Sequence, residues 1–262
     1  MPVAFPFLAG LFVLSLLAGV AAADEGEGKA KLRQGGDRDY VTGRPAAPSE
    51  AWILSFGGRL YDDWMKTLDK KAPAGTHPAY PKSAKQTGAL TWRCKECHGW
   101  DYKGAGGQYA SGSHATGIKG IDGAAGRDPE RIAGILRSRI HGYGTLLPDQ
   151  AIEALALFVS KGQHDADQVI DPKTGNVKGD AKRGAAIFQT VCAACHGFDG
   201  KTLDWGTAQK PAYVGTEANA NAWEVLHKLE NAHPGAAMVS LRAFSLQDAV
   251  DALAYARTLP VK

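Results

Sequence analysis

From Ser49 onward, the apolar positions of this 262-residue chain recur at helical spacing, and no stretch shows the strict alternation of a half-buried strand. Leu60, Trp64 and Leu68 make one stripe after Gly57-Gly58. Asp128 is placed to cap a helix that runs from Pro129, at its first position, to about Ile140. A further helix from Pro148 to about Ser160 carries Ile152, Leu155, Phe158 and Val159 on one side. In the second half, Gly179 to Phe188 reads as a short amphipathic helix, followed by another near Trp223 to Leu229. The last helix opens with Ser245-Leu246-Gln247-Asp248, a capping-box-like start, and spaces Leu246, Ala249, Val250, Leu253, Ala256 and Leu259 helically. The expected fold is mostly α.

One plan occurs twice: helix, Cys-x-x-Cys-His run, loop, helix, loop, helix. The first copy spans 49–165 and contains an insertion at 69–91; the second spans 179–262. Between them, 166–178 crowds Gly, Asp, Pro, Lys and Asn and reads as a linker. Residues 24–48 are polar and Gly/Pro-rich, a flexible leader. Residues 1–23 read as an export signal, with Ala21-Ala22-Ala23 before Asp24 as a small-residue cleavage site. No Lys or Arg precedes the apolar stretch, which is also about long enough to span a bilayer. It is either a cleaved signal peptide or a retained membrane tether through residues 3–23. Both readings put the remainder outside the cytoplasm, and the expected location is periplasmic.

Composition narrows the chemistry. A formal charge of +3 with scattered lysines is too weak an argument for nucleic acid. All four cysteines, Cys94, Cys97, Cys192 and Cys195, lie in Cys-x-x-Cys-His runs that end in His98 and His196. Two thiols at this spacing suit thioether attachment to one haem, and the next histidine presents an imidazole to its iron. A thioredoxin-like pair explains neither the histidine nor the two copies, and no βαβ pattern is present. A shared zinc site would have to join motifs about a hundred residues apart, in separate units. Disulfides would leave both histidines unexplained. Two covalently bound haem c groups are therefore expected, one per unit.

The second half, with its glycine-aromatic first helix, Cys-x-x-Cys-His-Gly run and late methionine, resembles the class I cytochrome c domain. The first half resembles a more divergent member. The resemblance implies two tandem cytochrome c-like helical domains, each wrapped around one haem, that relay electrons between redox proteins. It also implies Met238, after Pro234-Gly235-Ala236-Ala237 and before the last helix, as sixth ligand of the second iron. The first half has no methionine after its motif, but His141 follows His98 at nearly the interval by which Met238 follows His196. His141 is the expected sixth ligand there, with His114, an open site, and His77 in the insertion as alternatives. Trp92, Trp100, Tyr102 and Tyr109 are expected as pocket walls. Arg93, Arg137 and Arg139 are candidates for haem propionates, and Lys95 and Glu96 are expected to face solvent.

Electron transfer between other redox proteins is the leading function. The alternatives are a dihaem oxidoreductase acting on a small sulfur compound, similar to thiosulfate dehydrogenases, and ligand binding at an open first haem. Some thiosulfate dehydrogenases use a cysteine as distal ligand, and this chain has no cysteine outside its motifs.

Overall fold

The computed structural model describes Met1 and residues 45–262; all but Met1 of the expected signal segment 1–23, and most of the expected leader, lie outside the described residues. Helix α1 (Glu50–Thr67) starts where Ser49 Oγ accepts the Trp52 amide at 3.2 Å. It breaks at Asp63, whose carboxylate accepts the Lys66 amide at 3.0 Å and so caps the final turn. The first motif forms α2 (Cys94–His98). Helix α3 (Pro129–Arg137) is capped by Asp128 as expected, but ends before Ile140 because Ser138 is extended. Helix α4 (Asp149–Leu157) runs into a wide π turn, Phe158–Gly162.

These elements close on Leu60, Tyr61, Trp64, Ile152, Leu155 and Phe158, all with almost no exposure. Burying each aliphatic or Phe side chain among them is worth roughly 1.5–3 kcal/mol. Helices α1 and α4 approach so closely at Gly57 that a Cβ there would overlap the Ala154 carbonyl.

The second half contains α5 (Ala181–Ile187), α6 (Ala193–His196), α7 (Val214–Ala220), α8 (Ala222–Asn231) and α9 (Leu246–Ala256). The capping box at Ser245 forms in full, with Ser245 and Asp248 each accepting the other's amide. Its core gathers Leu226, Val250 and Leu253, with Ile170 from the connecting segment buried among them. Among the described residues there are only isolated β-bridges and no strands.

The halves meet where α1 crosses α8. Gly58 lies against the Asn231 side chain, and Ser55 Oγ donates to the Asn231 carbonyl at 3.0 Å. Fully buried His227 spans the seam, between Tyr102 Oη at 2.8 Å and the Gly58 carbonyl at 2.9 Å. Lys228 of α8 reaches Asp62 of α1 at 3.3 Å.

No helix among the described residues is long and apolar enough to cross a membrane.

Candidate functional site

The first motif opens onto a cavity of about 800 Å³ lined by Cys94, Cys97 and His98 on one side and His141 on the other. Its walls are apolar, built from Ile118, Ile121, Ile132, Leu136, Leu155 and Val159. His98 Nδ1 donates to the Lys119 carbonyl at 2.8 Å, which leaves Nε2 as the ring nitrogen free to bind a metal. The His98 and His141 ring centres are 6.4 Å apart, with planes inclined by 22°. Two imidazoles on opposite sides of one metal, with metal–nitrogen bonds of about 2.0–2.1 Å, have ring centres roughly 6 Å apart. The pair therefore fits a haem iron between them. Burial holds both imidazoles below the ordinary histidine range, so each is neutral and able to ligate.

The other histidines are committed elsewhere. His114 lies off the cavity, with Nδ1 2.8 Å from Glu96 Oε2 and its ring stacked on Tyr109 at 5.0 Å. His77 does line the cavity, but both its ring nitrogens are in hydrogen bonds, to the Ala79 amide and the His141 carbonyl.

The thiols do not resemble a redox pair. Desolvation pushes Cys94 and Cys97 up to about 12 and Cys192 up to about 11, and none of the four cysteines is in a disulfide. A reactive Cys-x-x-Cys thiolate has its pKa lowered.

Several expectations are corrected. Lys95 and Glu96 do not face solvent. Both are buried, paired at 2.7 Å, with Lys95 Nζ 5.2 Å from the Trp100 ring centre. Lys228 of the second half packs on that same ring at 4.8 Å, so Lys95 reaches into the seam between the halves. Trp92, Trp100, Tyr102 and Tyr109 are buried but line neither cavity; the aromatic walls of the first are Tyr61 and Tyr143. Trp100 and Tyr102 instead pack on His227.

The arginines divide similarly. Arg93 touches the cavity but gives its guanidinium to Asp62, and Arg137 pairs with Asp149 at 2.7 Å. Arg139 does not line it, whereas Arg127 and Arg131 do and would suit the haem carboxylates. Their signal in the sequence was two arginines flanking the Asp128 cap, Arg131 sharing its helix face with Ile135.

A smaller cavity, about 180 Å³, gathers Cys192, Cys195, His196 and Met238. A π turn, Phe188–Cys192, widens the helix as it delivers Cys192. Met238 arrives on the loop after α8, where Gly235 adopts φ +70° against Lys66 of the first half. Imidazole facing thioether is a donor set suited to haem iron. His233 also lines this cavity and was not singled out in the sequence; its Nδ1 donates to the Pro234 carbonyl at 2.9 Å. Met65, the remaining internal methionine, is buried in the first core.

Residues 179–255 match the family model described as cytochrome C oxidase, cbb3-type, subunit III. No curated protein matches the chain. The matched segment holds the second motif, its cavity and Met238. The second half is thus a c-type cytochrome domain, with haem c iron as its cofactor and electron transfer as its chemistry.

Proposed function

We propose that this chain is an exported dihaem cytochrome c that relays single electrons between other redox proteins. The observation that carries the reading is the facing pair His98 and His141, 6.4 Å apart across an apolar cavity that also holds Cys94 and Cys97. In the second unit Cys192, Cys195, His196 and Met238 surround the other cavity. Bound haem supplies reversible one-electron chemistry at each site. Cys94, Cys97, Cys192 and Cys195 would attach it, His98, His141, His196 and Met238 would ligate its iron, and aliphatic walls would exclude water from the first site.

The two sites differ in the expected direction of potential. A thioether opposite histidine raises the potential relative to two imidazoles, so the second site is the stronger electron acceptor. The seam through Tyr102, His227 and Asn231 keeps both sites in one body and favours transfer between them. A redox complex is the setting that the cbb3 subunit III-like domain supports. Export to the periplasm rests on the apolar segment 3–23.

The decisive experiment is haem stoichiometry by pyridine haemochrome on the full-length protein and on its Cys94→Ala/Cys97→Ala variant. Two haems c per chain, falling to one in the variant, support the reading. One haem in both rejects it.

A further inference from the structure

We propose that His77, carried by the insertion at 69–91, is a positioning residue that clamps the distal ligand loop of the first haem. This rests on the assignment of His141 as that ligand. The second unit has no counterpart of the insertion, which invites the view that it is a surface excursion.

The geometry points to the clamp. The Ala79 amide donates to His77 Nδ1 at 3.1 Å, so that nitrogen is unprotonated and the proton sits on Nε2. His77 Nε2 then donates to the main-chain carbonyl of His141 at 3.1 Å. His77 is only 6% exposed, and its ring packs edge-on against Trp92 with centres 4.4 Å apart.

The insertion is itself tied down. The His77 amide donates to Thr91 Oγ1 at 2.9 Å, and Trp92 Nε1 donates to the Gly75 carbonyl at 3.0 Å. Trp92 in turn accepts, at its carbonyl, from Trp64 Nε1 at 2.8 Å and Tyr143 Oη at 2.9 Å. A chain of hydrogen bonds therefore runs from α1 through Trp92 to the insertion. From there it reaches the backbone of His141.

Among the described residues the His141 backbone has no other hydrogen bond, and the loop's further anchor is Tyr143, through its hydroxyl on the Trp92 carbonyl. α3 ends at Arg137, and His141 is followed by Gly142 in the left-handed region, φ +70°. The adjacent Gly142 amide bonds the Ser138 carbonyl at 2.7 Å, within the loop itself. A ligand on such a loop would leave the iron easily without an external tie. His77 supplies that tie and keeps the first site closed to added ligands.

Carbon monoxide reports the open fraction, because its apparent affinity scales with the population in which His141 has left. The probe is carbon monoxide added to the reduced, fully haem-loaded protein, with electron paramagnetic resonance of the ferric form. The wild type is expected to resist carbon monoxide at the first haem. His77→Phe keeps the ring packing but loses the donor. It is expected to bind carbon monoxide roughly five- to tenfold more readily, the effect of one lost hydrogen bond. His77→Gln, whose side-chain amide can still donate to the His141 carbonyl, is expected to restore closure.

If His77→Phe does not accumulate with its haems, Thr91→Val loosens the same tie and is expected to open the site partially. His141→Ala separates the two claims. If that variant stays closed and low-spin, the ligand assignment and this proposal both fall. If it opens while His77→Phe, or Thr91→Val in its place, behaves as wild type, only the role of His77 is overturned.

Discussion

The hydroxyl of Tyr102 donates to Nδ1 of His227 at 2.8 Å, joining the loop after the first motif to helix α8 of the second half. The direction follows from the other side of the ring. Nε2 faces the Gly58 carbonyl at 2.9 Å, which can only accept, so Nε2 carries a proton; burial lowers the ring to about 4 and keeps it uncharged, so Nδ1 accepts. His227 is thereby neutral in the native state. The seam between the two motif-bearing halves depends on its staying so.

This makes stability depend on pH in a defined window. Burial lowers His227 to about 4, against about 6.5 for a free histidine. Asp62 favours its charged form, while Lys228 and Arg242 oppose it; Tyr102 is a neutral partner. As pH falls from about 6.5 to 4, the unfolded chain takes up a proton that the folded chain refuses. Stability should drop by about 3 kcal/mol across that window. His227→Gln should flatten the pH dependence of denaturant midpoints there, and an unchanged slope would reject the assignment. Asp62, lowered to about 2, contributes separately: its stabilisation is present above about 4 and is lost as pH falls towards 2.

The α1–α8 crossing predicts an unusual cost for alanine. Gly58→Ala should gain about 1 kcal/mol of helix propensity in isolation. In the protein its Cβ would overlap the Asn231 side chain. That side chain cannot swing away, since it donates to the His227 carbonyl and accepts from Arg242, both at 2.8 Å. Overpacking of this kind costs about 1–3 kcal/mol. The melting temperature should fall by several degrees in calorimetry, whereas Gly134→Ala, exposed on α3 with open space around its Cβ, should keep the propensity gain and not lower it.

Near-parallel imidazole planes, 22° apart, predict the magnetic character of a haem held between His98 and His141. Parallel ligand planes split the iron d orbitals strongly and give a rhombic low-spin spectrum with three resolved g values. Perpendicular planes give a single high-g feature. Electron paramagnetic resonance of the oxidised Met238→Ala protein isolates the first haem's low-spin signal, and a high-g feature alone would contradict the geometry.

Replacing Met238 acts on the second haem by itself. Met238→Ala should abolish the weak near-infrared methionine–ferric band and lower one midpoint in a redox titration. The other midpoint should stay put. Persistence of the band would reject Met238 as its source, and a wild type without the band would move the assignment to His233, which lines the same cavity.

How much of this was legible in the chain divides by the range of the interactions. The helices at Pro129 and Ser245 were readable because capping and amphipathic spacing act within a few residues. Lys95 and Glu96 were misread because part of their cover is distant in the chain. Lys95 lies on Trp100, whose ring also carries Lys228 of the second half, and Glu96 is bonded to His114 of a later loop. Trp100 and Tyr102 likewise look like pocket walls from their place beside the motif, yet they serve the seam.

The sequence by itself determined the chemistry that needs contiguous residues. Each Cys-x-x-Cys-His run sets thiol and imidazole spacing within one helical turn, the family resemblance implied Met238, and the His196-to-Met238 interval counted from His98 nominated His141. Only the tertiary structure decided what faces what. It brought His141 to 6.4 Å from His98, set His114 against Glu96, and turned His77 from a spare histidine into a donor to the His141 backbone. The physical reason is that a covalent motif is specified along the chain, while the opposite face of a metal is supplied by whichever loop packing delivers there.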